Sequence, residues 1–242
     1  MKEKIKSSFD AASRTYDSVS EVQTLSSAYL VDMLKRLTLP GKIDKILDIG
    51  SGTGNTSLEL MKIYPSSNYT LCDISKNMIH NARLKIKNAN HILCDAEQYN
   101  FTEQYDVVVS NLAVQWFESI DLFMGKILKN CRCFAFSTLL DKSFHNYKEL
   151  HPCYDGSVPN FLSAKEIKHI CRKHGFLIKQ KIKKYSLLFE NPFGLARYFK
   201  KLGASAYRQE GNIISSMGGH KIKLDYWIFF GIIKNENSPS CI

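Results

Sequence analysis

The sequence predicts an α/β fold, a mostly parallel sheet with helices on both faces. Three observations point there. Short apolar runs alternate with helical periodicity along most of the chain. One strand-to-helix junction, residues 45–54, reads Lys-Ile-Leu-Asp-Ile-Gly-Ser-Gly-Thr-Gly. Acidic residues, Asp48, Asp73 and Asp95, fall at or just beyond the ends of successive predicted strands.

The elements follow in order. Helical patterns near residues 2–13 and 18–37 come first, and Pro40-Gly41 closes them. A strand at 45–49 (Ile46, Leu47, Ile49) enters the glycine turn, and a helix at 54–63 leaves it. Pro65-Ser-Ser breaks that helix, and a strand at 68–73 ends in Asp73. Ser75 suits the N-cap of a helix over 76–88, with Met78, Ile79, Ala82 and Ile86 on one face. Strands at 90–94 and 105–110, a helix at 119–129 and a strand at 132–139 continue the alternation. Ser163 caps a helix at 164–174 that stops at Gly175. A strand at 176–189, a helix at 192–202 and a strand near 224–233 complete the set, and the tail from Asn235 reads as frayed. The 242 residues suit one domain in three parts: an N-terminal helical lid at 1–40, a cofactor-binding core at 41–140, and a substrate-side half at 141–242.

The junction carries the chemistry. Gly50, Gly52 and Gly54 let the backbone turn tightly and approach a ligand with no Cβ in the way. The helix that follows points free N–H groups at that ligand. The dinucleotide fingerprint spaces its glycines G-x-G-x-x-G. Here they fall G-x-G-x-G behind Asp48, where an anion would be unwelcome and a cation favoured. S-adenosylmethionine carries a sulfonium and an ammonium group and no phosphate. In parallel sheets a ligand lies outside the carboxyl ends of the strands, so Asp48, Asp73, Asp95 and Asn111 converge on one site. Asp73 lies about 20 residues past the turn, where an acid takes a ribose diol. Asp95 is placed to accept from the adenine amino group. A lone aspartate also suits a cap or a turn, but three at successive strand ends point to a shared site.

Composition narrows the class. Apolar residues make up 44% of the chain, enough for a full core, and no apolar run reaches the roughly 18 residues that span a bilayer. The charged start, Met1-Lys-Glu-Lys-Ile-Lys, lacks the apolar stretch of a secretory signal, which predicts a cytoplasmic protein. Seven scattered cysteines without a Cys-x-x-Cys pair suggest reduced, packed thiols and no metal site. The net charge of +10 attracts polyanions: nucleic acid, acidic proteins or anionic membrane.

With these residues in view, the chain resembles the class I S-adenosylmethionine-dependent methyltransferases. More narrowly, it is similar to the malonyl-acyl-carrier-protein O-methyltransferases of biotin synthesis. Phe9-Asp-Ala-Ala-Ser-Arg-Thr-Tyr16-Asp17 matches their N-terminal element, and Ser110-Asn-Leu-Ala-Val-Gln-Trp116 matches the most specific motif. Phe136-Ser-Thr-Leu139, Phe161-Leu162, Leu202-Gly203-Ala204 and the run from Tyr226 to Gly231 match later segments. The family usually has Pro-Gly-Gly before the fifth strand, where this chain reads Lys129-Asn-Cys-Arg-Cys133. The segment 207–224 is short against the family pattern.

The resemblance implies a Rossmann-like seven-stranded sheet, mostly parallel, with a helical cap. It implies methylation of the free carboxylate of malonyl-acyl carrier protein. Cofactor contacts then fall to Asp48, Gly50, Ser51, Gly52, Gly54, Asp73, Ile74, Asp95, Ala96, Asn111 and Leu112. Gln115 and Trp116 are expected at the transferred methyl, Tyr16 as a donor to the carboxylate or a shield of the methyl, and Arg197 and Lys200 at the malonyl carboxylate or the phosphopantetheine phosphate. A carboxylate is ionised at neutral pH and needs no general base, so no Ser-His-Asp or Cys-His set is expected. Arg197, Lys200, Lys201, Arg208 and the lysines of 179–184 are expected to face an acidic carrier protein. Two other readings stay open: another methyltransferase acting on a small acid, a quinone precursor or RNA, and a cofactor-binding protein without activity.

Overall fold

A computed structural model describes residues 1–39, 41–145, 161–204 and 221–235. The expectations placed on Pro40, Arg208, the tail beyond Asn235 and most of 207–224 lie outside the described residues. Helix α1 (Lys2–Ala12) is followed by a 3-10 turn at Tyr16–Ser18 and helix α2 (Glu21–Lys35). The alternation then runs β1 (Lys45–Ile49), α3 (Asn55–Met61), β2 (Asn68–Asp73), α4 (Lys76–Lys85), β3 (Asn90–Leu93) and β4 (Tyr105–Asn111). It continues through α5 (Ile120–Ile127), β5 (Cys131–Leu139), α6 (Ala164–His174), β6 (Phe176–Phe189), α7 (Pro192–Leu202) and β7 (Ile222–Lys234).

The seven strands form one sheet in the order β3-β2-β1-β4-β5-β7-β6. Only β7 runs against its neighbours, pairing antiparallel with both β5 and β6. Strand order reverses between β1 and β4, where Asp48 is paired with Leu71 on one side and Val109 on the other. Ile49, Asp73, Leu93 and Asn111 end their strands along one edge.

Burial explains the strand composition. Ile46, Leu47 and Ile49 are fully buried, as are Val107, Val108, Val109, Phe134 and Phe136, because helices cover both faces. One apolar layer gathers Leu30, Leu34, Leu60 and Phe230, and the other gathers Phe123, Ile127, Phe229 and Ile233. Edge strand β6 instead carries Lys179, Lys181, Lys183 and Lys184, charges that discourage pairing with another chain.

Local chemistry sets the helix ends. Ser75 Oγ accepts from the Met78 N–H, as the sequence predicts, and Ser163 with Glu166 forms a full capping box. Asn191 caps α7, with Pro192 at its first position. The expected helix at 18–37 opens instead as the turn at Tyr16–Ser18, where Asp17 reaches across to Thr53, Asn55 and Lys85. The missing Pro-Gly-Gly turn costs little in shape. One 3-10 turn, Leu128–Asn130, leads directly into β5, and Asn130 Nδ2 donates to the Lys126 carbonyl.

Candidate active site

A cavity of about 740 Å³, counting the solvent at its open mouth, lies at the strand ends beside the β1–β4 reversal. Its floor is the glycine turn. Gly50, Gly52 and Gly54 have φ of +64°, +54° and +88°, which side-chain-bearing residues rarely adopt. A Cβ at Gly50 would lie 2.3 Å from the Ala113 Cβ, so the turn and the 111–114 segment touch only because residue 50 is glycine. A Cβ at Gly52 would meet nothing within 4 Å; it would project into the space a ligand needs.

Asp73 organises this floor. Its Oδ2 accepts from the Gly52 N–H at 2.9 Å and its Oδ1 from the Ser75 N–H at 2.8 Å. Burial pushes its carboxyl up, and the backbone donors oppose that push. The Ile74 N–H is a third backbone donor to this carboxylate. Asp95 is already engaged: Oδ1 accepts from the Glu97 N–H, and Oδ2 meets the Lys2 ammonium, which also reaches Glu97 at 2.8 Å.

The far wall is the segment after β4. Asn111 Oδ1 accepts from Ser26 and Ser137, each at 2.7 Å, and its Nδ2 donates to the Gln23 carbonyl. Leu112 sits at φ +50°, a strained value for a branched residue, with its N–H held by Ser137. Trp116 packs edge-on against Phe9, ring centroids 5.6 Å apart. Phe9, Ile5 and Lys2 bring α1 over the opening. Two carboxylates fasten this segment: Asp10 accepts from Ser75 Oγ and the Asn77 N–H, and Asp17 accepts from Thr53 Oγ1.

Of the residues expected here, Tyr16, Gly50, Gly52, Asp73, Ile74, Asp95, Ala96, Asn111, Leu112 and Trp116 line the cavity. Burial pushes the Tyr16 phenol up, and the Asp73 carboxylate adds to it, so the hydroxyl stays a donor. The other six expected residues lie elsewhere. Ser51 and Gly54 shape the turn without lining the cavity. Gln115 closes its own 3-10 turn, donating to the Leu112 carbonyl at 2.6 Å and accepting from Thr138. Arg197 and Lys200 are exposed on α7, because Leu195, Tyr198 and Leu202 take the inward face. The sequence reading passed over Lys2, Phe9, Asp10, Cys72, Cys94 and Ala113. Phe9 and Asp10 belong to the Phe9–Asp17 motif, which was the available signal.

Asp48 is the clearest correction. It was expected to favour a cation in the loop, yet it is buried behind it, with Oδ2 accepting from Ser57 Oγ at 2.7 Å. Oδ1 has no partner among the described residues. Burial lifts its pKa from 3.8 to about 7, the Ser57 bond opposing and Asp73 adding. The unfolded carboxyl ionises near its ordinary value, so between there and about 7 the unfolded state binds fewer protons. Stability therefore falls as pH rises through that window. Urea midpoints at pH 5 and pH 8 should differ less in Asp48→Asn than in the wild type, and parallel curves would refute this.

The comparisons with known proteins agree with this geometry. Residues 46–132 match the family described as a methyltransferase domain. The fold is similar to Haemonchus contortus phosphoethanolamine N-methyltransferase 2, solved in complex with S-adenosyl-L-methionine (TM-score 0.60, 15% identity, 94% of this chain and 57% of that one). It is also similar to the plantazolicin methyltransferase BpumL (TM-score 0.55, 17% identity, 98% and 100%). The matched domain and the shared sheet show a class I methyltransferase fold. Over 232 residues the chain is 30% identical to a malonyl-[acyl-carrier protein] O-methyltransferase of Priestia megaterium, covering 86% of this chain and 84% of the relative. The corresponding protein of Acetivibrio thermocellus is 30% identical, with 89% and 83% covered. The chain belongs to the malonyl-[acyl-carrier protein] O-methyltransferase family.

Proposed function

We propose that this chain methylates the free carboxylate of a malonyl group carried on acyl carrier protein, as a step of biotin synthesis. The observation that carries the reading is the pairing of a family likeness over 86% of the chain with a cavity of the right make. The residues present fit S-adenosylmethionine: a bare glycine floor at Gly52 and an acid at the end of β2. That cofactor supplies an electrophilic methyl on a sulfonium. Asp73 would hold the ribose hydroxyls, and Ile74, Ala96 and Met78 would enclose the adenine beside Asp95. Asp48, Ser51 and Gly54 support this set from behind the turn. Asn111 and Leu112 would border the methionine portion.

The chain's task at the reacting end is placement. The substrate carboxylate is ionised at neutral pH, so no proton need leave it. Tyr16 and Trp116 would confine it against the methyl, and α1 with Phe9 would exclude water. Gln115 contributes by fixing the turn that carries Trp116. Arg197, Lys200 and Lys201, exposed on α7, and the lysines of β6 would steer an acidic carrier protein toward the opening. The free thiols of Cys72, Cys94, Cys131 and Cys171 fit a reducing cytoplasm.

Transfer of labelled methyl from S-adenosylmethionine is the direct test. Malonyl-acyl carrier protein should take up label as a base-labile ester, and acetyl-acyl carrier protein, which has no free carboxylate, should take up none. Label on RNA instead, or equal label on both carriers, would sink the reading.

A further inference from the structure

The cavity wall assigned to adenine is a loop, not a strand or a helix. Asp95 and Ala96 supply it, just past the end of β3. The chain turns there at once. Asp95 Oδ1 accepts from the Glu97 N–H at 3.0 Å, and the Asp95 carbonyl accepts from the Gln98 and Tyr99 N–H groups at 3.0 and 2.8 Å. This is one helical turn with no second turn behind it. The carbonyls at its end therefore need acceptor partners from elsewhere.

Lys126 supplies them. Its Nζ donates to the carbonyls of Ala96, Glu97 and Tyr99 at 2.8, 2.8 and 2.9 Å. An ammonium group has three N–H donors, and all three are used. Lys126 stands in the last turn of α5. The start of the same helix is tied to the same loop, because Glu97 Oε2 and Oε1 accept from the Glu118 and Ser119 N–H groups, each at 2.9 Å. One short helix thus holds the loop from both ends. The Phe101 ring lies 5.4 Å from Nζ and closes over the contact. Burial pushes the Lys126 pKa down, and the Asp95 and Glu97 carboxylates oppose that push. Lys2, the other cation here, comes from α1, meets the carboxylates of Asp95 and Glu97, and lines the cavity itself. Lys126 does not line the cavity, so its effect on a ligand must pass through the loop.

We propose that Lys126 is a positioning residue for the base of the cofactor: it fixes the 95–99 turn so that Asp95 and Ala96 meet adenine and discriminate against a base with a different edge. The proposal rests on the placement of adenine beside Asp95 given above. Without the ammonium, three carbonyl dipoles crowd together with no donor between them, and the turn opens to reach water. The bond from the Glu97 N–H to Asp95 Oδ1 belongs to that turn. Opening it frees the Asp95 carboxylate to rotate, and the buried Ala96 wall moves with it.

The experiment is calorimetry on the full chain with S-adenosylhomocysteine and S-inosylhomocysteine, whose base carries an oxo group in place of the amino group. An acceptor at Asp95 favours the amino group, so the wild type should prefer S-adenosylhomocysteine by about tenfold or more. Lys126→Met keeps the stem and removes the donors. It should weaken S-adenosylhomocysteine binding on the order of 10- to 100-fold and shrink the preference to within about threefold. A methionine variant with wild-type affinity and preference overturns the proposal. So does one in which fewer molecules bind but the Kd is unchanged, since Lys126 would then only support folding. Equal weakening for both ligands overturns it too, because the loss would not lie at the base. If Lys126→Met does not fold, Lys126→Gln takes its place with the same expectations and the same overturning results. A wild type that binds both ligands equally removes the placement of adenine at Asp95, and this proposal with it. A wild type that prefers S-adenosylhomocysteine keeps that placement, so the two failures are told apart by the unmutated protein.

Discussion

Replacing Asp73 with alanine is expected to weaken S-adenosylhomocysteine binding on the order of 100- to 1,000-fold. Hydrogen bonds to a charged acceptor contribute about 1.5–3 kcal/mol each, and a ribose diol offers two. The substitution has a second effect. The Gly52 and Ser75 amides lose their acceptor, so the glycine turn and the start of α4 both relax. Asp73→Asn keeps one acceptor oxygen and should fall between alanine and wild type. Titration calorimetry with the three proteins reads the order directly. An alanine variant that binds within about fivefold of wild type would remove Asp73 from the cofactor contacts.

Gly50→Ala should be the most damaging glycine-to-alanine change among the described residues. The new Cβ would sit 2.3 Å from the Ala113 Cβ at a φ of +64°. Left-handed backbone costs a non-glycine residue about 1–2 kcal/mol, and overpacking adds about 1–3 kcal/mol. A loss of about 2–5 kcal/mol in urea denaturation is expected, together with loss of S-adenosylhomocysteine binding as the Asn111–Leu112 wall is pushed away. The double change Gly50→Ala/Ala113→Gly removes the clash but not the backbone strain, so it should recover roughly half the loss. No recovery would mean that the contact with Ala113 is not what requires glycine.

The elements were legible because their signals are local. Periodicity placed every helix and strand of the described residues, and Ser75 and Ser163 marked two helix starts through side chains that reach only three residues ahead. The place of Asp73 on the cavity wall was legible for the same reason, since it ends a parallel strand. Asp48 looked equivalent and is not. Its burial depends on α3 folding back to set Ser57 over it, which strand-end position does not encode. Arg197 and Lys200 were expected at the substrate, but Leu195, Tyr198 and Leu202 take the inward side of α7. The pairing of Lys2 with Asp95 gave no signal, since the two arrive from distant segments.

The insertion of β7 between β5 and β6 sets an order of assembly. Neither β5 nor β6 pairs with the other, so each keeps an open edge until residues 222–234 have left the ribosome. The cofactor half, β3-β2-β1-β4-β5, has all its strands long before that. A nascent chain thus carries a nearly finished binding platform whose β5 border, fully apolar over Phe134–Phe136, is uncovered. Exposed strand edges of that composition invite the wrong neighbour. Translation pauses or premature stops before Ile222 would therefore cost two strands and leave a sticky margin, a hazard concentrated in the last part of synthesis.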